Sequence, residues 1–213
     1  MRGTRVLGFV VLTAGLTGCG GLFHSDARPE QVYYLRATPI PSGSTPVAAS
    51  LRFNRPNASP GLDSADIVTL QPDRRMSFFL ASRWPAPTSN VVEMLAVEKL
   101  RGANLWRSVA DSTSAFPTDY VLQVTIRSFE ADYSKGGTAP EVHVVLDCLV
   151  GKREDREVIG SFLAEGSATA STNKMSAVVP AFETAANAAI DSMATQTLEA
   201  VRNSLAHKTA ATD

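Results

Sequence analysis

The side chains that could carry chemistry are few and dispersed. Three histidines, His24, His143 and His207, fall in an N-terminal linker, a strand-like run and a C-terminal tail. None has a partner at the spacing that zinc or another transition metal requires. No Gly-x-Ser-x-Gly turn exposes a nucleophile, and no glycine-rich loop could cradle a phosphate. Asp63, Asp66 and Asp73 lie close together, but turn and capping positions account for them. Cys148 sits in Val144-Val145-Leu146-Asp147-Cys148-Leu149-Val150 and reads as a small buried hydrophobe. The expectation is a protein without catalysis, metal or cofactor.

The second thiol has a different setting. Cys19 follows Leu16-Thr17-Gly18 at the end of the apolar run Val6–Leu16, with Arg2 and Arg5 ahead of it. Positive charge, apolar segment and small residues, in that order, mark a secretory signal. A cysteine directly after Leu-x-Gly resembles the lipobox of bacterial lipoproteins. That resemblance implies cleavage before Cys19, diacylglycerol on its sulfur and an acyl chain on its new amino terminus. One acyl chain binds membranes only marginally, whereas several anchor stably. The run Val6–Leu16 is far short of the roughly 20 residues that span a bilayer.

The elements that carry these residues form one domain. With 44% hydrophobic and 19% charged residues the composition is globular. The 20 Lys and Arg against 21 Asp and Glu favour neither nucleic acid nor a strongly charged surface as partner. Residues 1–18 read as the signal peptide, 19–29 as a lipidated tether, 30–207 as the domain and 208–213 as a tail. Strands are expected at 31–36, 49–53, 66–70 and 75–80, separated by Pro- and Gly-rich loops at 37–46 and 54–64. A helix starts at Ser89 or Asn90, with Asn90 and Glu93 set as a capping box, and stops at Gly102. A short strand at 104–109 follows. Period-two alternation over 120–127 and a further run over 142–150 predict a hairpin, and 158–170 a last strand. A long helix over 179–206 carries Pro180 in its first turn and a broad apolar stripe. The expected fold is α+β, a mixed or antiparallel sheet with two helices on one face.

Two readings of Trp84 are open. Between Arg83 and Pro85, and after Phe78-Phe79, it is either a core aromatic or an interface anchor. The loop residues Asn57–Asp63, including Leu62 and Asp63, together with Arg83 and Trp84 form the candidate partner-docking surface.

Several motifs stand in a suggestive order behind Cys19. They are Tyr33-Tyr34-Leu35, Gly61-Leu62-Asp63-Ser64-Ala65-Asp66-Ile67-Val68, Arg83-Trp84-Pro85 and Ala181-Phe182-Glu183. In that order they resemble the ABC-type transport auxiliary lipoproteins, the PqiC-like family, with Phe78-Phe79 where a tyrosine-containing pair is expected. The resemblance implies a fold similar to the N-terminal domain of TolB. It implies a partner too, an Mce-domain (MlaD-like) periplasmic protein with its permease and ATPase, moving lipids between inner and outer membranes. The lipoprotein would sit on the periplasmic face of the outer membrane, as Gly20 after Cys19 suggests, and would dock the Mce assembly as a homo-oligomeric ring. Two other classes compete: a periplasmic carrier that binds lipid itself, and an outer-membrane assembly lipoprotein.

Overall fold

The structure, a computed structural model, describes residues 29–40 and 45–210. Cys19, the signal segment and His24 lie outside the described residues. The strand of widest influence is β7 (Tyr120–Asp132), the alternating segment of the sequence. Tyr120, Leu122, Val124 and Ile126 are buried on one face while Gln123 and Arg127 face solvent. The register against its antiparallel neighbour β8 (Glu141–Lys152) shifts between Ile126 and Ser128. That bulge moves the inward phase to Phe129 and Ala131, which is why the strand outlasts its apparent end at Arg127.

The opposite edge of β7 is shared by three strands in succession, all parallel to it. Tyr120–Leu122 pair with β2 (Val47–Phe53), Thr125 and Ile126 with β3 (Asn57–Ala58), and Ala131 and Asp132 with β4 (Asp66–Leu70). Outside them, β6 (Trp106–Ala110) pairs with β2, β5 (Met76–Arg83) with β4, and β1 (Gln31–Val32) with β5. On the far side β9 (Val158–Thr169) lies antiparallel to β8. The nine strands form one open mixed sheet, so the expected α+β architecture is present, with more parallel pairing than hairpins alone would give. The strand expected over 31–36 is reduced to β1, and β3 lies in a stretch that reads as loop.

Helices α1 (Thr88–Gly102) and α2 (Met175–Ala210) cover one face. The proposed capping box at α1 does not form. Pro87 holds the N-cap position without a side-chain cap, while Thr88 N–H donates to Ser64 O at 3.0 Å and Glu93 accepts from Ser112 N–H. Helix α2 begins four residues earlier than its apolar stripe suggests, placing Pro180 beyond the first turn.

An alanine-lined face of α2 allows unusually close approach to the sheet. Ala185, Ala186 and Ala189 are buried, and Gly166 of β9 lies beneath them. A Cβ at Gly166 would stand 2.1 Å from Ala185 O, whereas one at Gly160 would meet only the Ala200 methyl at 3.0 Å. Backbone cannot yield as a flexible side chain does. Gly166→Ala is therefore expected to cost about 3 kcal/mol or more in chemical denaturation, the upper end of overpacking penalties, and Gly160→Ala clearly less.

Candidate docking region around the N-terminal strap

Residues 33–40 leave β1 and run as a strap across α2. Arg36 N–H donates to Glu183 Oε2 at 2.8 Å. Thr38 gives both its N–H and its hydroxyl to Asn187 Oδ1, at 2.8 and 3.0 Å. The Asn187 Nδ2 returns bonds to Arg36 O and Glu183 O, at 2.9 and 2.8 Å, so every polar site of this amide is used. Lys99 of α1 reaches the same point. Its Nζ donates to Asn187 Oδ1 at 2.9 Å and Thr38 Oγ1 at 3.1 Å, and lies 2.8 Å from Asp191 Oδ1 in an ion pair without hydrogen-bond alignment. The Lys99 side chain is fully buried and that of Asp191 about one-third exposed (32%).

A buried ammonium deprived of its carboxylate is costly. Asp191→Ala is expected to lower stability by about 2–3 kcal/mol, less than for a fully buried pair because Asn187 and Thr38 still accept from Lys99. Adding Lys99→Met should recover part of that loss. A double-mutant cycle by denaturant titration reads the coupling.

The structure separates the residues proposed for docking. Trp84 is 1% exposed and packs edge-on against Phe182 and Phe129, with ring centroids 5.2 and 6.0 Å away. Leu62 is buried too. Neither side chain is at the surface, so the core reading of Trp84 describes its environment. Arg83 is half-exposed and pairs with Glu30 at 3.1 Å, and Asp63 accepts from Ser89 N–H at 3.4 Å. Phe78, treated in sequence as a neighbour of Trp84, is exposed, as are Val32, Tyr34, Met76 and Leu80. Met76, Phe78 and Leu80 recur at every second residue, as do Val32 and Tyr34, but spacing alone does not say that the face they share is uncovered.

The uncovered face of β7 and β8 carries paired charges. Arg127 pairs with Asp147, and Lys135 with Glu141. His143 Nε2 lies 3.6 Å from Glu141 and 3.9 Å from Asp132. Burial pushes the Glu130 carboxyl above its ordinary range, although Phe129 N–H donates to it. Among the described residues no group of three or more His, Cys, Asp or Glu could hold a metal. Cys148 is buried, and desolvation pushes its thiol up to about 12, far from a reactive thiolate. An open cleft of about 1140 Å³ at the C-terminal end of α2 is lined by charged side chains, among them the pairs Arg107 with Asp119 at 2.6 Å and Lys152 with Glu157 at 2.5 Å.

Glu130 supplies a pH signature. A carboxyl whose folded pKa is raised binds protons more tightly in the native state, so its contribution to stability falls as pH rises through the unfolded value of 4.5. Glu130→Gln should therefore gain stability relative to wild type on going from pH 4 to pH 7. Denaturant titrations at the two pH values measure the difference.

No helix among the described residues is long and apolar enough to cross a membrane. A family model described as ABC-type transport auxiliary lipoprotein component matches residues 33–194. Among solved structures, a Xanthomonas campestris protein of the DUF330 family superposes with a TM-score of 0.75 at 22% identity, covering 82% of this chain and 98% of its own. An uncharacterized protein superposes with a TM-score of 0.61 at 14% identity, covering 81% and 99%. At these identities the likeness is one of fold. Among curated proteins no sequence relative matches the chain.

Proposed function

We propose a function from one premise: the chain belongs to the ABC-type transport auxiliary lipoprotein component family. It is thus an accessory of an ABC transport system, and its role is to anchor and dock, not to catalyse. The anchor is a triacylated Cys19 on the periplasmic face of the outer membrane. The transport system is of the Mce type, and the docked partner is its periplasmic Mce-domain (MlaD-like) protein, which with permease and ATPase moves lipids between inner and outer membranes. Several copies arranged as a ring would match an oligomeric Mce assembly.

The observation that carries this reading is the family match over nearly the whole folded domain, downstream of Leu16-Thr17-Gly18-Cys19. The strap supports it mechanically. A tether attached to a loose segment would leave the domain poorly positioned, whereas here residues 36–38 are fixed to α2 through Asn187. The carrier alternative needs an apolar cavity between helix and sheet. That space is filled at Gly166, where α2 comes within backbone contact distance, and the cleft at the C-terminal end of α2 is open and lined largely by charged side chains.

Affinity purification of the intact lipoprotein from detergent-solubilised membranes tests the proposal. The Mce-domain protein should co-purify with wild type, and Cys19→Ser should leave the membrane fraction with loss of the acyl mass on intact mass spectrometry. Stoichiometric phospholipid bound to the soluble domain, with no Mce-domain protein recovered under several detergents, would move the function to the carrier class.

A further inference from the structure

We propose that the outer edge of β5, together with the strap beside it, is a second membrane contact, one that enters the same leaflet that holds the lipid on Cys19. It rests on the anchor proposed above for its placement, while the edge's own chemistry does not depend on acylation.

Edge strands are ordinarily blunted by lysine, proline or a covering element. Met76-Ser77-Phe78-Phe79-Leu80 carries neither residue, and β1 covers β5 only at Ser82 and Arg83. Thr69 pairs with the inward-facing Ala131, so by alternation its neighbours Val68 and Leu70 take the opposite face, Val68 buried there and Leu70 half-buried. Their partners on β5 are Phe78 and Met76, which share that face at 47% and 45% exposure. The register between β4 and β5 then slips, the four residues of β5 between Phe78 and Arg83 opposing the single residue Ile67 of β4. Ala81 within the slip has φ 51°, a left-handed conformation that is strained for alanine. Leu80 beside it is 94% exposed. Strain that pushes a leucine into water contributes nothing to folding, and it points to something outside the fold that the leucine meets. Val32 and Tyr34 of the adjoining segment, at 49% and 64% exposure, extend the apolar surface.

The bilayer is the occupant because of where the chain comes from. β1 runs parallel to β5 with Gln31 opposite Ser82. The same register carried back two residues brings Pro29 level with Leu80. Cys19 lies ten residues before Pro29. A segment of that length reaches at most about 35 Å. The acyl chains thus enter the membrane close to Leu80, and the effective concentration of lipid at this edge is high. Most charge at this edge is already paired, Arg75 with Asp73 and Arg83 with Glu30, and the exposed Arg74 beside Met76 suits a lipid phosphate. A second copy added as a strand would find its ladder interrupted by the slip before Ser82.

The test places an environment-sensitive dye at Leu80→Cys in the mature chain. Leu163→Cys, on β9 and 51% exposed, is the reference site. Buried Cys148 stays unlabelled in the native protein. Phosphatidylcholine vesicles are the probe, first with the unacylated Cys19→Ser chain at millimolar lipid, then with the acylated protein reconstituted. The expected result is a blue shift and quenching by brominated lipid at 80 and not at 163, in both arms and with little salt dependence. Phe78→Ser with Leu80→Ser should lower flotation of the unacylated chain about tenfold, the effect of removing two partly inserted apolar side chains. An acylated protein that floats while its dye at 80 stays in water overturns the proposal. So does flotation of the unacylated chain that ignores the two serines, or shielding of the dye that follows protein concentration without vesicles, which assigns the edge to a second copy. If acylated protein does not float but the unacylated arm shows the shift at 80, the anchor fails and the edge contact stands.

Discussion

One amide side chain holds the parts of this molecule in relation to one another. Asn187 Oδ1 accepts from the Thr38 N–H, the Thr38 hydroxyl and the Lys99 ammonium, while its Nδ2 serves Arg36 O and Glu183 O. Three segments distant in sequence, the strap, α1 and α2, thereby meet at a single point. Burial makes the arrangement selective, because an ammonium and an amide removed from water tolerate few alternative partners. An aliphatic residue at 187 could fill the volume, but it would leave the strap only its Arg36 bond to Glu183, and Lys99 only Asp191, the Thr38 hydroxyl and the backbone carbonyl of residue 187.

The sheet obeys a second constraint, set by β7. A thirteen-residue strand can serve β8 along its whole length on one edge and three shorter parallel strands on the other. Parallel neighbours cannot be joined by tight turns, so the chain must travel between them. Those journeys are the Pro-rich loops and α1, and one of them passes through Arg83-Trp84-Pro85. Trp84 closes the junction from inside, against Phe129 of β7 and Phe182 of α2. The same closeness at Gly166 leaves no room for a guest between helix and sheet.

Much of this was legible in the sequence, and the gaps have physical causes. Asp66–Leu70 and the ends of α1 follow from apolar runs between turn residues. The alternation of 120–127 marks β7, but a bulge resets the phase at Arg127, and period-two reasoning stops where the phase breaks. Asn57–Ala58 is a strand only because β7 offers it an edge, a tertiary cause without a local signal. The role of Lys99 was hidden for a like reason, since an isolated lysine on a helix reads as solvated until Asn187 and Asp191 are brought to it. Of the residues marked for docking, Arg83 and Asp63 reach the surface, whereas Trp84 and Leu62 are buried. Aromatic character alone does not distinguish an anchor for a partner from a wedge in the core.

In the arrangement proposed above, with the domain held between a membrane and a large assembly, the parallel pairing of β1 with β5 has a mechanical meaning. Tension on the tether arrives at Pro29 and loads the two residues of β1, a short pair that can let go under modest force. The load then passes to Arg36 and Thr38, whose bonds to Glu183 and Asn187 tie the strap to the N-terminal half of a 36-residue helix. The first element is a weak link with slack behind it, and the second is a stop. In that arrangement the domain can give a little under load without its core feeling the pull.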